Sequence, residues 1–419
     1  MLRAPAAMNG VVLLGPCQIG KTTLLAQAVQ RLLDERVEPK SILYVSLAEP
    51  AYIGLTPEEV VRLFLAMHGH GPAAPLTVLL DGIEYLPGWE AHLATLIDLF
   101  PATRFCASGS VAPKPGVGRW IEYLLPPLSF AEFVDLTHRT DQLFERGTRK
   151  LRGIAALNRV FVEYLNLGGF PAPLFDDTVR DGMEGFAAGD IVARALLHDG
   201  PSVYGIADPA ELKQLLASLA RDPGAEVSVE ALSQQLRIAK NTVRKYLDYL
   251  EASFLTRRVH RVDGEARRFQ RATHFKVYLT NSSLRAALFG AVDERSEAIE
   301  GVAQSAYFAE LFRSASGADT FYARWDGGEI AAVGLDPAGQ HVRHASEIRW
   351  DDGIVETAET ALRPLLDFCK RMGIGATTVT TKTARLDRTI DGIEIGFWPL
   401  AQLVYEIARI KFERQAATG

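Results

Sequence analysis

Cysteine is scarce in this chain, with only Cys17, Cys106 and Cys369 among 419 residues. Their odd number, wide separation and lack of metal-ligand spacing exclude a disulfide framework and offer no zinc site. No apolar stretch approaches the roughly 20 residues that span a bilayer as a helix. The N-terminal MLRAPAAMNGVVLLGP carries one Arg and a short apolar run that leads straight into a glycine-bounded loop, so it does not read as a cleaved signal. These absences predict a cytoplasmic protein with no membrane partner. Charge of one sign does not dominate either, since the formal net charge is −6. A globally basic nucleic-acid binder is excluded, and any such contact needs a local patch.

What is present is an ordinary globular composition, 48% hydrophobic and 23% charged, in a chain long enough for about two to four domains. The most informative stretch is VVLLGPCQIGKTTLL, from Val11 to Leu25. Gly15 and Gly20 bracket Pro16, Cys17, Gln18 and Ile19, and Lys21, Thr22 and Thr23 follow, which is the spacing of a P-loop. In such a loop, backbone N–H groups close around phosphate oxygens, Lys21 reaches the β- and γ-phosphates, and the Thr22 hydroxyl reaches Mg²⁺. The helix N-terminus adds its positive pole. Gly10 to Leu14 reads as a buried parallel strand, and Leu24, Leu25, Val29, Leu32 and Leu33 as one helical face. The expected ligands are ATP and Mg²⁺.

Three further strands are predicted. Ser41 to Leu47 ends at Glu49 and Pro50, where α/β sheets present side chains to ligands. Leu76 to Leu80 runs into Asp81, a carboxylate placed for the same Mg²⁺ as Thr22. Arg104 to Ala107 closes on Ser108, Gly109 and Ser110, where the Ser108 hydroxyl would sense the γ-phosphate.

In order along the chain, GPCQIGKTTLL, LLDGIEYLPGWE, ASGS, GVGRW and LLPPLSFAEF resemble the bacterial and archaeal AAA-type ATP-binding proteins fused to a nuclease-like C-terminal domain. The likeness continues through LNLGGFPAP, YLDYLEASFL, FKVYLTNSSLRAALFG, YARWDGGEI, SEIRW and VTTKT, nearly the whole chain. It implies an α/β P-loop NTPase domain of AAA type over 1–125, a helical lid over 126–205, a winged helix-turn-helix over 206–272 and a nuclease-like domain over 273–419. Two departures stand out. Cys17 replaces the family's usual Arg, and Gly82 replaces the Glu that polarises the attacking water. Glu84 and Glu49 are the nearby acids that could take over that role. The family also carries a segment before the P-loop strand, so a shortened start is expected here. Arg119 in GVGRW either contacts a γ-phosphate, in its own subunit or a neighbour's, or bridges loop carboxylates such as Glu122.

For the expected lid, Phe130, Phe133, Val134, Leu151, Ile154, Leu157, Val160, Phe161 and Leu165 fall at helical spacing. Gly168 and Gly169 mark a helix stop and a hinge-like turn. The following unit reads as ELKQLLASLA, SVEALSQQL, a tight RIA turn and KNTVRKYLDYLE. Ser228 should cap the second helix; Leu232 and Leu236 should face inward, as should Val243, Tyr246, Leu247 and Leu250 of the third. Lys240, Asn241, Thr242, Arg244 and Lys245 are then left on its outer face, either for base edges and phosphates of duplex DNA or, if the unit is only a packing module, for solvent. The alternating stretch around Asp263 and Gly264 fits the hairpin of a wing. Between Arg237 and Lys276, eleven Lys and Arg residues face only Asp248, Glu251, Asp263 and Glu265.

In the C-terminal part, helices are predicted over Val302 to Phe312 and Ala358 to Met372. Strands are predicted over Thr320 to Ala323, Glu329 to Leu335, His344 to Ile348 and Ala376 to Thr380. The resemblance implies a degenerate PD-(D/E)xK-like core. Ala331 stands where an acid is expected, Glu347 is kept, Arg349 replaces a Lys, and Gln304 replaces a helical Glu. One remaining carboxylate is a poor cage for a catalytic metal. The resulting expectation is a nucleotide-controlled switch that associates with DNA or with a protein partner, with slow or absent ATP hydrolysis. An active ATPase motor or remodeller and a metal-dependent nuclease are the alternatives, and oligomerisation is left open.

Overall fold

The computed structural model describes residues 10–418 except 53, 114–118, 183–205, 270–272, 314–319, 337 and 340. Contacts divide the described residues into two units, one of 10–127 with 206–209 and 248–254, the other of 128–182, 210–247 and 255–418.

The first unit is built on β1 (Gly10–Leu14), β2 (Ile42–Ser46), β3 (Thr77–Asp81), β4 (Arg104–Gly109) and β5 (Ile121–Leu124), in the order β2-β3-β4-β1-β5. Every pairing is parallel. Near-continuous apolar runs suit strands covered on both faces, and β1 and β3 are buried along their whole length. The four expected strands are present. The edge strand β5, IEYL, was not foreseen. Its residues are half-buried or exposed, and so it lacks the apolar signature of the others.

The helix after the loop, α1 (Lys21–Asp34), buries Lys21, Leu25, Ala28 and Leu32, a stripe at helical period. The expected face is thereby corrected: Leu24 and Leu33 are each 39% exposed. The helical drift between successive turns carries them past the edge of the contact.

The second unit contains a nine-stranded sheet. It comprises β6 (Glu226–Ser228), β7 (Thr256–Val262), β8 (His274–Leu279), β9 (Thr320–Trp325), β10 (Gly328–Leu335), β11 (Val342–Glu347), β12 (Ala376–Thr381), β13 (Leu386–Ile390) and β14 (Ile393–Pro399). Their order is β13-β14-β12-β11-β10-β9-β7-β8-β6. Strands from both sides of residue 273 share this sheet, with β7 pairing in parallel with β9. Hydrogen bonding therefore does not break at the boundary expected between 272 and 273.

The stretch expected as a lid packs into the core of this second unit. Phe130 and Phe161 are fully buried with ring centroids 5.0 Å apart, and Tyr405 of the C-terminal helix Leu400–Thr418 meets Phe130 at 6.1 Å. Residues 183–205 of that stretch lie outside the described residues. Helix Ile154–Leu167 stops at Gly168 as expected, yet Gly168 has a right-handed backbone. Close approach explains the glycine pair: a Cβ on Gly168 would lie 2.1 Å from the Tyr164 ring, and one on Gly169 would lie 2.0 Å from the Asn281 amide.

The order helix Pro209–Arg221, β6, helix Val229–Leu236, helix Lys240–Ala252, then the β7–β8 hairpin matches the expected three helices and hairpin. The Ser228 hydroxyl accepts a hydrogen bond from Ala231 N at 3.1 Å, and Arg237 takes a left-handed backbone with φ 58° between the second and third helices. Leu232, Val243, Tyr246, Leu247 and Leu250 are buried, while Leu236 is only half-buried.

The predicted single helix over Ala358 to Met372 is broken into Ala358–Ala361 and Arg363–Met372, and a further short helix, Gly353–Glu356, precedes them. Pro364 lies in the first turn of the last piece, where its missing N–H leaves nothing unpaired. The structure adds a β13–β14 hairpin beyond the expected strands, turned by Asp391–Gly392 at φ 54° and 81° between Ile390 and Ile393.

Candidate functional site

The P-loop backbone is shaped by residues that tolerate positive φ or need close approach. Gln18 and Gly20 have φ of 62° and 97°, and a Cβ on Gly15 would sit 2.2 Å from Leu125 O. The ammonium of Lys21, 7% exposed, donates to Gly15 O at 2.9 Å, Pro16 O at 2.7 Å and Ser110 Oγ at 3.0 Å. A cavity of about 330 Å³ is lined by Cys17, Gln18, Gly20, Lys21, Thr22, Thr23, Asp81 and Ser108 of the expected set. Gly15, Pro16 and Ile19 are buried within the loop. Gly82, Glu84 and Ser110 line it as well, and Ser46, Ala48 and Tyr85, which carry no local motif, complete the wall. Ser46 is in register with Asp81 across β2 and β3, a relation set by strand pairing.

Sheet order explains why the acid and the hydroxyl meet. Strand β4 lies between β1 and β3, so Ser108 at its end stands beside Asp81. Ser108 Oγ donates to Asp81 Oδ1 at 2.5 Å, and Gly82 N donates to Ser108 Oγ at 3.0 Å. Tyr44 OH donates to Asp81 Oδ2 at 2.9 Å. Burial, reinforced by the Asp81 carboxylate, pushes the Tyr44 phenol well above its ordinary pKa.

The Thr22 hydroxyl and the Asp81 carboxylate are hard oxygen donors on one cavity wall. Among the described residues, no cluster of three or more His, Cys, Asp or Glu side chains could hold a metal alone. A donor set of one carboxylate and one hydroxyl, completed by waters and phosphate oxygens, fits Mg²⁺.

Gly82 has φ 75° and precedes the turn Ile83–Tyr85; a Cβ there would lie 2.9 Å from Tyr85 Cδ2. The position where the resembling proteins have Glu is thus closed to a side chain without strain. Of the two substitute acids, Glu84 lines the cavity and is 4% exposed, whereas Glu49 is exposed and lies in the turn after β2. Arg119 does not line the cavity. Its Nη1 lies 2.7 Å from Asp98 Oδ1, both side chains are exposed, and Glu122, the carboxylate expected to meet it, accepts from Trp120 Nε1 at 3.3 Å.

Residues 8–134 match the AAA domain family. The first unit is an AAA-type P-loop domain. Residues 158–295 match a second family, described as Domain of unknown function (DUF8612). Among curated relatives, an uncharacterized protein of Haemophilus influenzae is 23% identical over 67% of this chain and 69% of its own length. The uncharacterized proteins MJ1637 of Methanocaldococcus jannaschii and Rv2008c of Mycobacterium tuberculosis are 26% and 27% identical. The chain spans only 54% and 58% of their lengths. Solved structures similar to it include a DNA replication initiation factor, 15% identical with a TM-score of 0.27 over 51% of this chain and 62% of that one. Another is the STAND ATPase PH0952 of Pyrococcus horikoshii, which has a tetratricopeptide repeat sensor; it is 14% identical with a TM-score of 0.24 over 74% and 44%. No helix among the described residues is long and apolar enough to cross a membrane.

Beyond the P-loop domain, the chain displays Lys240, Asn241, Arg244 and Lys245 on the exposed side of helix Lys240–Ala252, with Thr242 half-buried. The local excess of positive charge is smaller than the linear count implied. Lys240 pairs with Glu230, Arg261 lies 3.9 Å from Glu226, and Lys276 Nζ lies 2.5 Å from Glu329. None of these three acids falls within 237–276, and they reach the patch only through folding. Arg244 Nη1 donates to Asn241 Oδ1 at 2.9 Å.

In the C-terminal core, Ala331, Glu347, Arg349 and Gln304 do converge. Ala331 N donates to Glu347 Oε2 at 3.3 Å, and Gln304 Nε2 donates to Ile348 O at 2.9 Å. The expectation of one remaining carboxylate is corrected by Glu300, one turn before Gln304, which lies 3.6 Å from Arg349. Arg349 also lies 2.8 Å from Glu347. A guanidinium bridges the two acids.

Proposed function

We propose that this AAA-type chain binds ATP with Mg²⁺ at the P-loop cavity, hydrolyses it slowly, and acts as a nucleotide-controlled switch toward a DNA or protein partner. The observation that carries the reading is that Lys21, Thr22, Asp81 and Ser108 line one cavity. Loop N–H groups and the helix N-terminus receive phosphate oxygens, and Lys21 transfers its ammonium from loop carbonyls to the β- and γ-phosphates. Thr22 and Asp81 hold Mg²⁺, which when bound neutralises charge on those oxygens. Ser108 orients Asp81. The slow rate follows from Gly82, which offers no base to the attacking water. Titration of a fluorescent ATP analogue, with steady-state turnover measured in the presence and absence of duplex DNA, tests the reading. Absence of binding refutes it.

A second reading is favoured by Glu84, whose carboxyl is buried in the same cavity wall. There it serves as a relocated general base and the protein is a working ATPase. For the second unit, we read residues 206–272 with β8 as a winged helix-turn-helix and the remaining C-terminal core as a degenerate PD-(D/E)xK-like fold with a structural or partner-binding role. The pairing of Lys240, Arg261 and Lys276 with acids supports a protein partner over extended DNA contact.

A further inference from the structure

Three adjacent strands contribute one residue each to a row: Tyr44 from β2, Asp81 from β3 and Ser108 from β4. Both oxygens of the Asp81 carboxylate are engaged by hydroxyl donors, Oδ1 by Ser108 at 2.5 Å and Oδ2 by Tyr44 at 2.9 Å. The Ser108 hydroxyl is itself oriented by Gly82 N–H at 3.0 Å. The carboxylate, 8% exposed, is held from both sides, and each oxygen keeps a lone pair for a further ligand.

We infer that Tyr44 is a positioning residue for the metal-binding carboxylate, locking Asp81 in the orientation that receives Mg²⁺ with the nucleotide; this rests on the ATP–Mg²⁺ reading above. A carboxylate with one free oxygen rotates about its Cβ–Cγ bond and loses orientation when a cation approaches. Two fixed donors remove that freedom before the metal arrives, and a preorganised ligand loses less entropy on binding. Tyr44 is suited to this task by its place. It is two residues before Ser46, the register partner of Asp81, and so shares a face of β2 with a cavity-lining residue. Tyr44 is 37% exposed, so it is not there to fill a core.

The test is the Mg²⁺ dependence of nucleotide affinity, read by fluorescence anisotropy of a labelled ATP analogue in EDTA and over a Mg²⁺ series. Tyr44→Phe should match the parent in EDTA, because Lys21 and the loop are untouched. It should need about tenfold more Mg²⁺ for half-maximal enhancement, as expected for the loss of one hydrogen bond to a charged group. Placing 4-aminophenylalanine at position 44 restores a donor at the same atom and should return the parental Mg²⁺ requirement. Tyr123→Phe, an exposed tyrosine on β5, should change nothing. Parental Mg²⁺ dependence in Tyr44→Phe overturns the inference, as does weakening of equal size in EDTA, which would mark a merely structural role. If the parent itself does not bind the analogue, the nucleotide reading falls first, and this inference with it. Should Tyr44→Phe fail to fold, the 4-aminophenylalanine protein decides the matter against Tyr44→Trp, which moves the donor off the para position and should behave like Phe.

Discussion

Arg349 lays its guanidinium across two acids, Nη2 at 2.8 Å from Glu347 Oε1 and Nη1 at 3.6 Å from Glu300 Oε1. Burial pushes the Glu347 carboxyl above the ordinary range, while Arg349 and then Ala331 N–H work against that rise. An acid whose pKa is raised by folding contributes its full stability below the unfolded value, and that contribution is lost as pH climbs through the raised one. Arg349→Ala removes the main opposing charge, so its stability should fall relative to the parent as pH rises from 5 to 8, by about 1–3 kcal/mol at the upper end. Adding Glu347→Gln should remove the pH dependence. Denaturant unfolding at both pH values is the measurement, and an equal loss at each would contradict the account.

The same bridge bears on cleavage. With the guanidinium between the two carboxylates and Ala331 and Gln304 in place of acids, no Mg²⁺- or Mn²⁺-dependent cutting of DNA or RNA is expected. Cutting by the parent protein that disappears in Glu347→Ala would prove the opposite.

Lys21→Ala should weaken ATP–Mg²⁺ binding roughly tenfold to a hundredfold, the loss of about 1.5–3 kcal/mol for a charge-assisted contact to phosphate. Calorimetric titration decides it. Unaltered affinity would remove the P-loop reading.

Hydrolysis separates the two functional readings. In the slow-switch reading, the parent turns over about 10²- to 10⁴-fold below an enzyme with a positioned base, and Glu84→Gln changes little. Brisk turnover abolished by Glu84→Gln would establish a relocated base, and Glu49→Gln should be silent in either case because Glu49 is exposed outside the cavity wall. Gly82→Glu alone is a poor restoration. At φ 75° and with its Cβ 2.9 Å from Tyr85 Cδ2, the new side chain should lower stability by about 1 kcal/mol or more before it supplies any catalysis.

Duplex DNA binding, if mediated by the third helix, should depend more on Arg244 than on Lys240, whose charge is shared with Glu230. Arg244→Ala should flatten the dependence of log affinity on log salt by about 0.9, and Lys240→Ala by less. Glu230→Gln should strengthen binding. If the three variants match the parent in affinity and slope, the helix plays no part in DNA contact.

The elements that were legible in the sequence are those whose signal is local. Gly15, Gly20, Lys21 and Thr22 announce the phosphate loop because successive backbone amides must converge over a few residues. The strands ending at Asp81 and Ser108 announce themselves as apolar runs closed by polar residues. Periodicity places Leu24 and Leu33 on the buried face because it gives a helix's stripe without its width. β5 carries no such signal because an edge strand needs no apolar run, whereas Asp391–Gly392 does mark the turn of the β13–β14 hairpin.

By itself, then, the sequence determined that a P-loop exists, which residues form it, and that Asp81 and Ser108 each follow an apolar strand. It also determined that Lys240 to Lys245 fall on a helix. Only the tertiary structure decided that Tyr44, 37 positions away, holds Asp81. The same holds for the choice of Glu84 over Glu49 as the cavity acid, for the gripping of Arg349 by Glu300, and for the meeting of Glu226, Glu230 and Glu329 with the basic residues between Arg237 and Lys276. The physical reason is common to all four. Which side chains meet, and which line a cavity, depends on how whole strands and helices pack against one another, and that packing leaves no mark in the spacing of neighbours.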